Sequence, residues 1–135
     1  MIDPGDSFWW EFGAAMPLNE LISAAADTAR AAGLKLKKGI YVGLKGPALE
    51  TPAEVAFLQT IGADAVGFST VQEVIAAVHG GLRVMGMSII TNVHNPADPV
   101  PANVEEIIAV AQKAAPSLET ILKGVARKIY ETEIR

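Results

Sequence analysis

The chain has 135 residues, half of them hydrophobic and 19% charged, with a formal net charge of -4. This length fits one ordinary domain with a real core, and the acidic balance argues against a nucleic-acid-binding protein, which usually carries a basic stripe. Zero cysteines exclude disulfides and thiolate chemistry, and two histidines are too few for a histidine-rich metal site.

The first part of the chain shows an aromatic cluster followed by a helical pattern. Residues 1–16 contain Phe8, Trp9, Trp10 and Phe12 among glycine and proline. We expect an irregular lead-in there, whose aromatic rings pack against the core or against a neighbouring subunit. From Leu18 the apolar positions keep helical spacing until Gly33, which predicts a helix that ends at this glycine.

The middle of the chain alternates strand and helix patterns. The apolar run 40–44 predicts a strand, and Thr51, Pro52 and Glu54 form the capping box and first-turn proline of a helix that ends near Ile61. The run 65–68 predicts a short buried strand. Thr70 and Glu73 form a second capping box before a helix over 71–79, and 83–91 predicts the longest strand, apolar on both faces.

The last part predicts a proline-rich loop and one long helix. Residues 92–101 carry three prolines, and Asn103 with Glu106 forms a third capping box. The apolar stripe continues in phase past Pro116, so we expect this proline to kink the helix without ending it.

This alternation makes the chain α/β. Three strand ends followed by polar residues would share a rim of the sheet, at Glu50, Ser69 and Asn92. Ligands bind at such rims in open α/β sheets. For Glu50 a second interpretation is a favourable interaction with the dipole of the helix that follows it.

The ordered set of motifs resembles the C-terminal half of a purine nucleoside phosphorylase of the trimeric, 6-oxopurine type, over about residues 38–128. The matching stretches are Tyr41-Val42, Gly46-Pro47, Glu50-Thr51, Ala53-Glu54, Gly62 to Gly67, Ser69 to Val71, Glu73 to Ile75, His79, Gly81 to Val84, Ser88 and Thr91-Asn92. The resemblance implies one nucleoside phosphorylase-like α/β domain over 17–135, with a mixed central sheet flanked by helices.

The resemblance also implies roles for individual residues. Glu50 matches the carboxylate that accepts from the N1–H side of the purine, and Asn92 matches the amide at the 6-oxo and N7 positions, with Thr91 on the same edge. Tyr41 matches a ribose-side aromatic residue, and Ser69 a phosphate-binding hydroxyl at a helix N-terminus. An amide at position 92 favours hypoxanthine and guanine nucleosides over adenine nucleosides.

Four positions differ from the family pattern or lack a settled role. Leu49 replaces an aromatic ring that packs on the base, and Phe68 replaces a methionine under the sugar. Val104 replaces a histidine that bonds the ribose 5′-hydroxyl, so the 5′ pocket would prefer an apolar group such as 5′-methylthio; alternatively, Val104 starts the core stripe of its helix. His94 either approaches the base or is an exposed loop histidine.

The arginine and histidine side chains that grip phosphate in this family have no counterpart here. We therefore expect an enzyme that converts 6-oxopurine nucleosides and phosphate to free base and ribose 1-phosphate, in which this chain supplies the base-recognition half. A companion N-terminal half or chain would supply the phosphate site, in a homotrimer-type assembly located in the cytoplasm. We expect inorganic phosphate as co-substrate, without metal or other cofactor. The alternatives are a 5′-methylthionucleoside phosphorylase and a non-catalytic nucleoside-binding or scaffold subunit.

Overall fold

The structure is a computed structural model that describes the backbone of residues 7–10 and residues 19–133. In chain order its elements are β1 (Ser7–Trp10), α1 (Asn19–Ala31), β2 (Leu36–Gly39), β3 (Tyr41–Gly43), α2 (Pro52–Thr60), β4 (Ala65–Gly67), α3 (Val71–His79), β5 (Gly86–Ile89) and α4 (Val104–Glu133).

The described strands form two small sheets. β1 lies at the centre of a mixed three-stranded sheet, parallel to β2 and antiparallel to β5, so that Ser7 faces Leu36 on one side and Ile89 on the other. β3 and β4 form a parallel pair, with Tyr41 opposite Ala65. The predicted α/β class with a mixed sheet and flanking helices is confirmed.

The main core lies between α1 and α4. Small residues of α1, among them the fully buried Ala25, allow α4 to approach closely enough to bury Ile121 and Val125 against them. The ion pair between Asp27 and Lys128, 3.0 Å, joins the two helices at the surface. The Lys128 ammonium group, which donates to the carboxylate, lowers the pKa of Asp27.

Helix ends follow the sequence pattern where local hydrogen bonds decide them. Thr51 Oγ1 accepts from the Glu54 backbone N–H, and the Glu54 carboxylate accepts from the Thr51 N–H at 2.8 Å, so the predicted capping box of α2 is confirmed. These bonds also lower the pKa of Glu54. The cap places the preceding residue, Glu50, directly at the N-terminus of α2.

The predicted start of α4 is also confirmed, but here the glutamate accepts from a side-chain amide and not from a backbone N–H. Asn103 Oδ1 accepts from the Glu105 and Glu106 backbone N–H groups, while Glu106 accepts from the Asn103 side-chain amide. α4 continues through Pro116, as the in-phase stripe predicted.

Two predictions about strands were wrong. Residues 7–10 of the lead-in are not irregular but form the central strand β1, and β2 was not predicted; residues 1–6 and 11–16 of the lead-in lie outside the described residues. The strand predicted over 83–91 is shorter in the structure: β5 has four residues, which pair antiparallel with the four described residues of β1.

The predicted capping box of α3 was also wrong. Thr70 makes no side-chain cap bond, and its φ of +79° is unusual for a β-branched residue. Within the described residues, no helix is both long and apolar enough to cross a membrane.

Candidate functional site

Two cavities share a wall made by the segment that follows β5. The first cavity, about 370 Å³, includes residues of β3, β4 and the turn before α3 among its lining. The second, about 760 Å³, lies between the start of α2, the proline-rich loop and α4. Residues 91–94 and Val55 line both cavities, so groups in this shared wall can serve either space.

Tyr41 and Ser69 both line the first cavity. Tyr41 Oη donates to the Ser69 carbonyl oxygen at 3.2 Å, which holds the phenol across the end of β4. Burial raises the pKa of the Tyr41 phenol, and the nearby carboxylates of Glu50 and Glu73 raise it further, against opposing hydrogen bonds. The phenol therefore stays protonated at neutral pH and remains a hydrogen-bond donor.

Glycine at position 67 makes room for this phenol. A Cβ atom built on Gly67 would collide with the Tyr41 hydroxyl. The position of Tyr41 in the cavity therefore depends on a residue without a side chain in β4.

Glu50 lines the second cavity with a buried carboxylate. Its side chain is only 2% exposed, and its Oε1 has no hydrogen-bond partner in the described part of the chain. A buried acceptor without a donor costs about 1–3 kcal/mol, so a ligand donor that reached this oxygen would remove that cost. The N-terminus of α2 stabilises the same negative charge, and the two predicted interpretations of Glu50 are therefore compatible.

Asn92 is held at both ends of its side-chain amide. The Thr91 hydroxyl donates to Asn92 Oδ1 at 3.1 Å, and Asn92 Nδ2 lies 3.0 Å from His94 Nε2. The same imidazole nitrogen is 3.8 Å from Glu50 Oε2. Glu50, His94 and Asn92 thus form one polar row, which agrees with the first of the two alternatives for His94, an approach to the other predicted base-site residues.

Of the three positions that differ from the family pattern, one lines a cavity and two do not. Leu49 lines the second cavity, but Phe68 lines neither and lies beside Gly46 instead. Val104 is 61% exposed and lines neither cavity, although its neighbours Asn103 and Ile107 line the second. The structure therefore places Val104 neither in a core stripe nor in a cavity.

Sequence reasoning missed part of the apolar lining. Val55, Ile107 and Val110 supply walls of the second cavity from two helices. Val55 is buried in α2, and the capping box and first-turn proline that predicted this helix do not indicate a cavity beside it.

The charge of the lining is one-sided. Neither set of described lining residues contains lysine or arginine, whereas the second cavity has the carboxylates of Glu50, Asp98 and Glu106. These walls can accept hydrogen bonds from a planar, uncharged ring, but they hold no fixed cation for a phosphate dianion.

Comparison with known proteins places this arrangement in a family. The sequence profile of the phosphorylase superfamily matches residues 11–127. Purine nucleoside phosphorylase 1 of Bacillus subtilis is 37% identical over 137 residues, which cover 97% of this chain and 49% of the relative. The mouse (Mus musculus) purine nucleoside phosphorylase is 51% identical over 97 residues, or 70% of this chain and 34% of the relative.

Solved structures agree with the sequence relatives. A Schistosoma purine nucleoside phosphorylase in complex with hypoxanthine superposes with a TM-score of 0.86 at 25% identity, over 94% of this chain and 56% of that chain. This chain spans about half the length of the curated Bacillus relative. The resemblance drawn from the motifs is confirmed, and the chain belongs to the phosphorylase superfamily.

Proposed function

We propose that this chain carries the purine-recognition part of a nucleoside phosphorylase site and acts in the phosphorolysis of 6-oxopurine nucleosides to free base and ribose 1-phosphate. The observation that carries the proposal is the buried Glu50 carboxylate, with one unpartnered oxygen, in the same polar row as Asn92. The purine nucleoside phosphorylases among its relatives support the reaction class.

Phosphorolysis requires hydrogen bonds to the base that become stronger as the base leaves. When phosphate attacks the anomeric carbon, the C–N bond breaks and the purine takes up the electron pair. Donors aimed at the 6-oxo edge then stabilise the growing negative charge more than they stabilise the bound substrate. Asn92 is the donor on that edge, and Glu50 accepts from N1–H and so fixes the orientation of the ring.

The first cavity suits the sugar and phosphate side of the reaction. Tyr41 Oη, whose proton goes to the Ser69 carbonyl oxygen, can accept from a ribose hydroxyl, and Ser69 stands before the N-terminus of α3, which has no side-chain cap. Uncapped N–H groups at a helix start favour an anion. Because the lining includes neither lysine nor arginine in the described residues, we propose that the principal cationic phosphate contacts come from a companion half or chain, in a homotrimer-type assembly.

The two alternatives differ in their support. The 5′-methylthionucleoside alternative depends on Val104 facing the sugar, and Val104, which is exposed and lines neither cavity, adds no support to it. The non-catalytic nucleoside-binding or scaffold subunit shares the base pocket, and it differs only in predicting no turnover in the complete assembly.

Reconstitution tests the proposal. The 135-residue chain is assayed with inosine and phosphate, alone and with a chain holding the other half of the Bacillus relative, while calorimetry measures hypoxanthine binding. We expect hypoxanthine to bind the chain alone and turnover to require the companion. Turnover by the chain alone would contradict the divided site, and binding without turnover in the assembly would favour the scaffold alternative.

A variant that removes the charge of Glu50 tests whether this side chain contacts the base. Glu50→Gln should weaken hypoxanthine binding about 10- to 100-fold, the range for loss of a hydrogen bond to a charged group. Glu105→Gln makes the same change at an exposed position of α4 and should leave binding unchanged. Equal affinity of the Glu50→Gln and wild-type chains would remove Glu50 from the site.

A further inference from the structure

The imidazole of His94 stands between the two residues assigned to the base. Its Nε2 lies 3.0 Å from Asn92 Nδ2 and 3.8 Å from Glu50 Oε2. The amide nitrogen and the carboxylate oxygen therefore cannot be farther apart than the sum of these two distances. The first contact is a hydrogen bond when the neutral ring carries its proton on Nδ1, because Asn92 Nδ2 is a donor.

A purine bonded to both residues needs the same space. Its N1–H and its 6-oxo group are on adjacent ring atoms, and each must approach its partner to about 2.7–3.2 Å. A ring nitrogen that already makes the amide contact and borders the carboxylate occupies the gap that the purine edge has to enter. The base and the imidazole thus exclude each other from this position.

The imidazole is a weaker occupant of the gap than a base would be. It leaves Glu50 Oε1 buried without a donor among the described residues, and at 3.8 Å its contact with Oε2 is too long for a hydrogen bond. A 6-oxopurine brings an N–H donor to the carboxylate and an acceptor to the amide, so the exchange keeps the amide paired and satisfies the carboxylate that the imidazole leaves unpaired.

His94 also has a way out of the gap. Its side chain is 30% exposed, so the imidazole already borders solvent. The backbone turn after it is closed by Asn95, which accepts from the N–H groups of Ala97 and Asp98. Side-chain rotation at His94 breaks neither of these bonds.

We infer that His94 is a gate of the purine subsite: its imidazole fills the base position in the empty chain and swings toward solvent when a 6-oxopurine binds. The inference rests on the proposed function, because it takes the Glu50–Asn92 pair as the base position. If His94 is a gate, its imidazole competes with the base and so lowers the apparent affinity of the chain for the base.

Chemical modification of the two histidines tests whether the His94 imidazole moves when the base binds. Diethyl pyrocarbonate labels accessible imidazole nitrogens, and mass spectrometry gives the rates for His94 and for His79, which lies exposed at the end of α3. We expect slower labelling at His94 than at His79 in the empty chain, and faster labelling at His94 when hypoxanthine is added. The rate at His79 should not change. Protection of His94 by hypoxanthine would overturn the gate, since it would mean that the imidazole stays against the base.

Affinity gives the second measurement. His94→Ala should bind hypoxanthine about fivefold more tightly than wild type, the equivalent of one net hydrogen bond that the base no longer has to displace. His79→Ala is the matched control and should bind as wild type does. Equal or weaker binding by His94→Ala would overturn the gate and leave the base subsite standing. Absence of binding in both chains would overturn the base subsite and the gate with it.

Discussion

At the scale of single residues, we expect from the proposed function that the amide at position 92 decides which purine the pocket accepts. Asn92→Asp replaces the N–H donor with a second carboxylate oxygen, which repels a 6-oxo group and accepts from a 6-amino group. We expect the ratio of hypoxanthine to adenine affinity to fall at least about tenfold, since one base loses a hydrogen bond that the other gains. Calorimetric titration of both bases measures the ratio.

The control for this change lies in the same loop. Asn95→Asp makes the same substitution at a residue whose Oδ1 only accepts from the Ala97 N–H, a role that a carboxylate also fills. The ratio should stay at the wild-type value in this variant. A preference for hypoxanthine that survives in Asn92→Asp would show that another group reads the 6-position.

The sequence predicts which residues belong to the candidate site better than it predicts the contacts between them. Glu50 and Asn92 follow strand ends in a recognisable motif set, so their approach to a common site was predictable. The intermediate position of His94 depends on the path of the loop after Asn92, which no local pattern specifies. Transfer from the family pattern gave Phe68 and Val104 pocket positions that the cavities do not show.

At the scale of elements, the contact of α1 with α4 depends on a glycine. A Cβ atom on Gly124 would collide with the Thr28 side chain, which in turn donates to the Ala24 carbonyl oxygen. Alanine in a helix interior usually gains about 1 kcal/mol over glycine, whereas overpacking a helix contact costs about 1–3 kcal/mol. We expect Gly124→Ala to destabilise the chain and lower its Tm by a few degrees, measured by thermal denaturation.

The same substitution at another helix tests whether the collision is the cause. Gly80 ends α3 with a negative φ, and a Cβ atom there would only reach carbonyl oxygens at ordinary contact distance. Gly80→Ala should leave the Tm equal or slightly higher. Adding Thr28→Ala to Gly124→Ala removes most of the colliding atoms and should restore part of the loss. A higher Tm for Gly124→Ala alone would show that α1 and α4 separate at no cost.

Elements fixed by local bonds were predictable, and elements fixed by distant partners were not. The cap at Thr51 and the in-phase stripe across Pro116 involve neighbours within a few residues, and both predictions are confirmed. β1 gains its strand geometry from two partners far along the chain, β2 and β5. Its aromatic run carries no alternation that would indicate which face is buried.

At the scale of the whole molecule, the exposed apolar side chains of α2 lead us to expect that another chain covers this surface. Val55 and Leu58 are buried on its inner side, while Phe57 and Ile61 are exposed one turn apart beyond it. Exposed large apolar side chains that lie close together on one helix are typical of a surface that contacts another chain. Together with the low charged fraction, this surface leads us to expect that the 14.2 kDa chain associates with copies of itself in solution.

Sedimentation velocity over a range of concentrations tests this association. We expect the wild-type chain to form species larger than 14.2 kDa as the concentration rises, and the double variant Phe57→Glu, Ile61→Glu to remain at the monomer mass. Carboxylates on this face would have to be buried unpaired in any contact, which costs several kcal/mol. The double variant Leu122→Glu, Tyr130→Glu places two charges at exposed apolar positions of α4 instead and should associate as wild type does. If the α4 variant dissociates and the α2 variant does not, the contact lies on the long helix and the exposed side of α2 faces solvent.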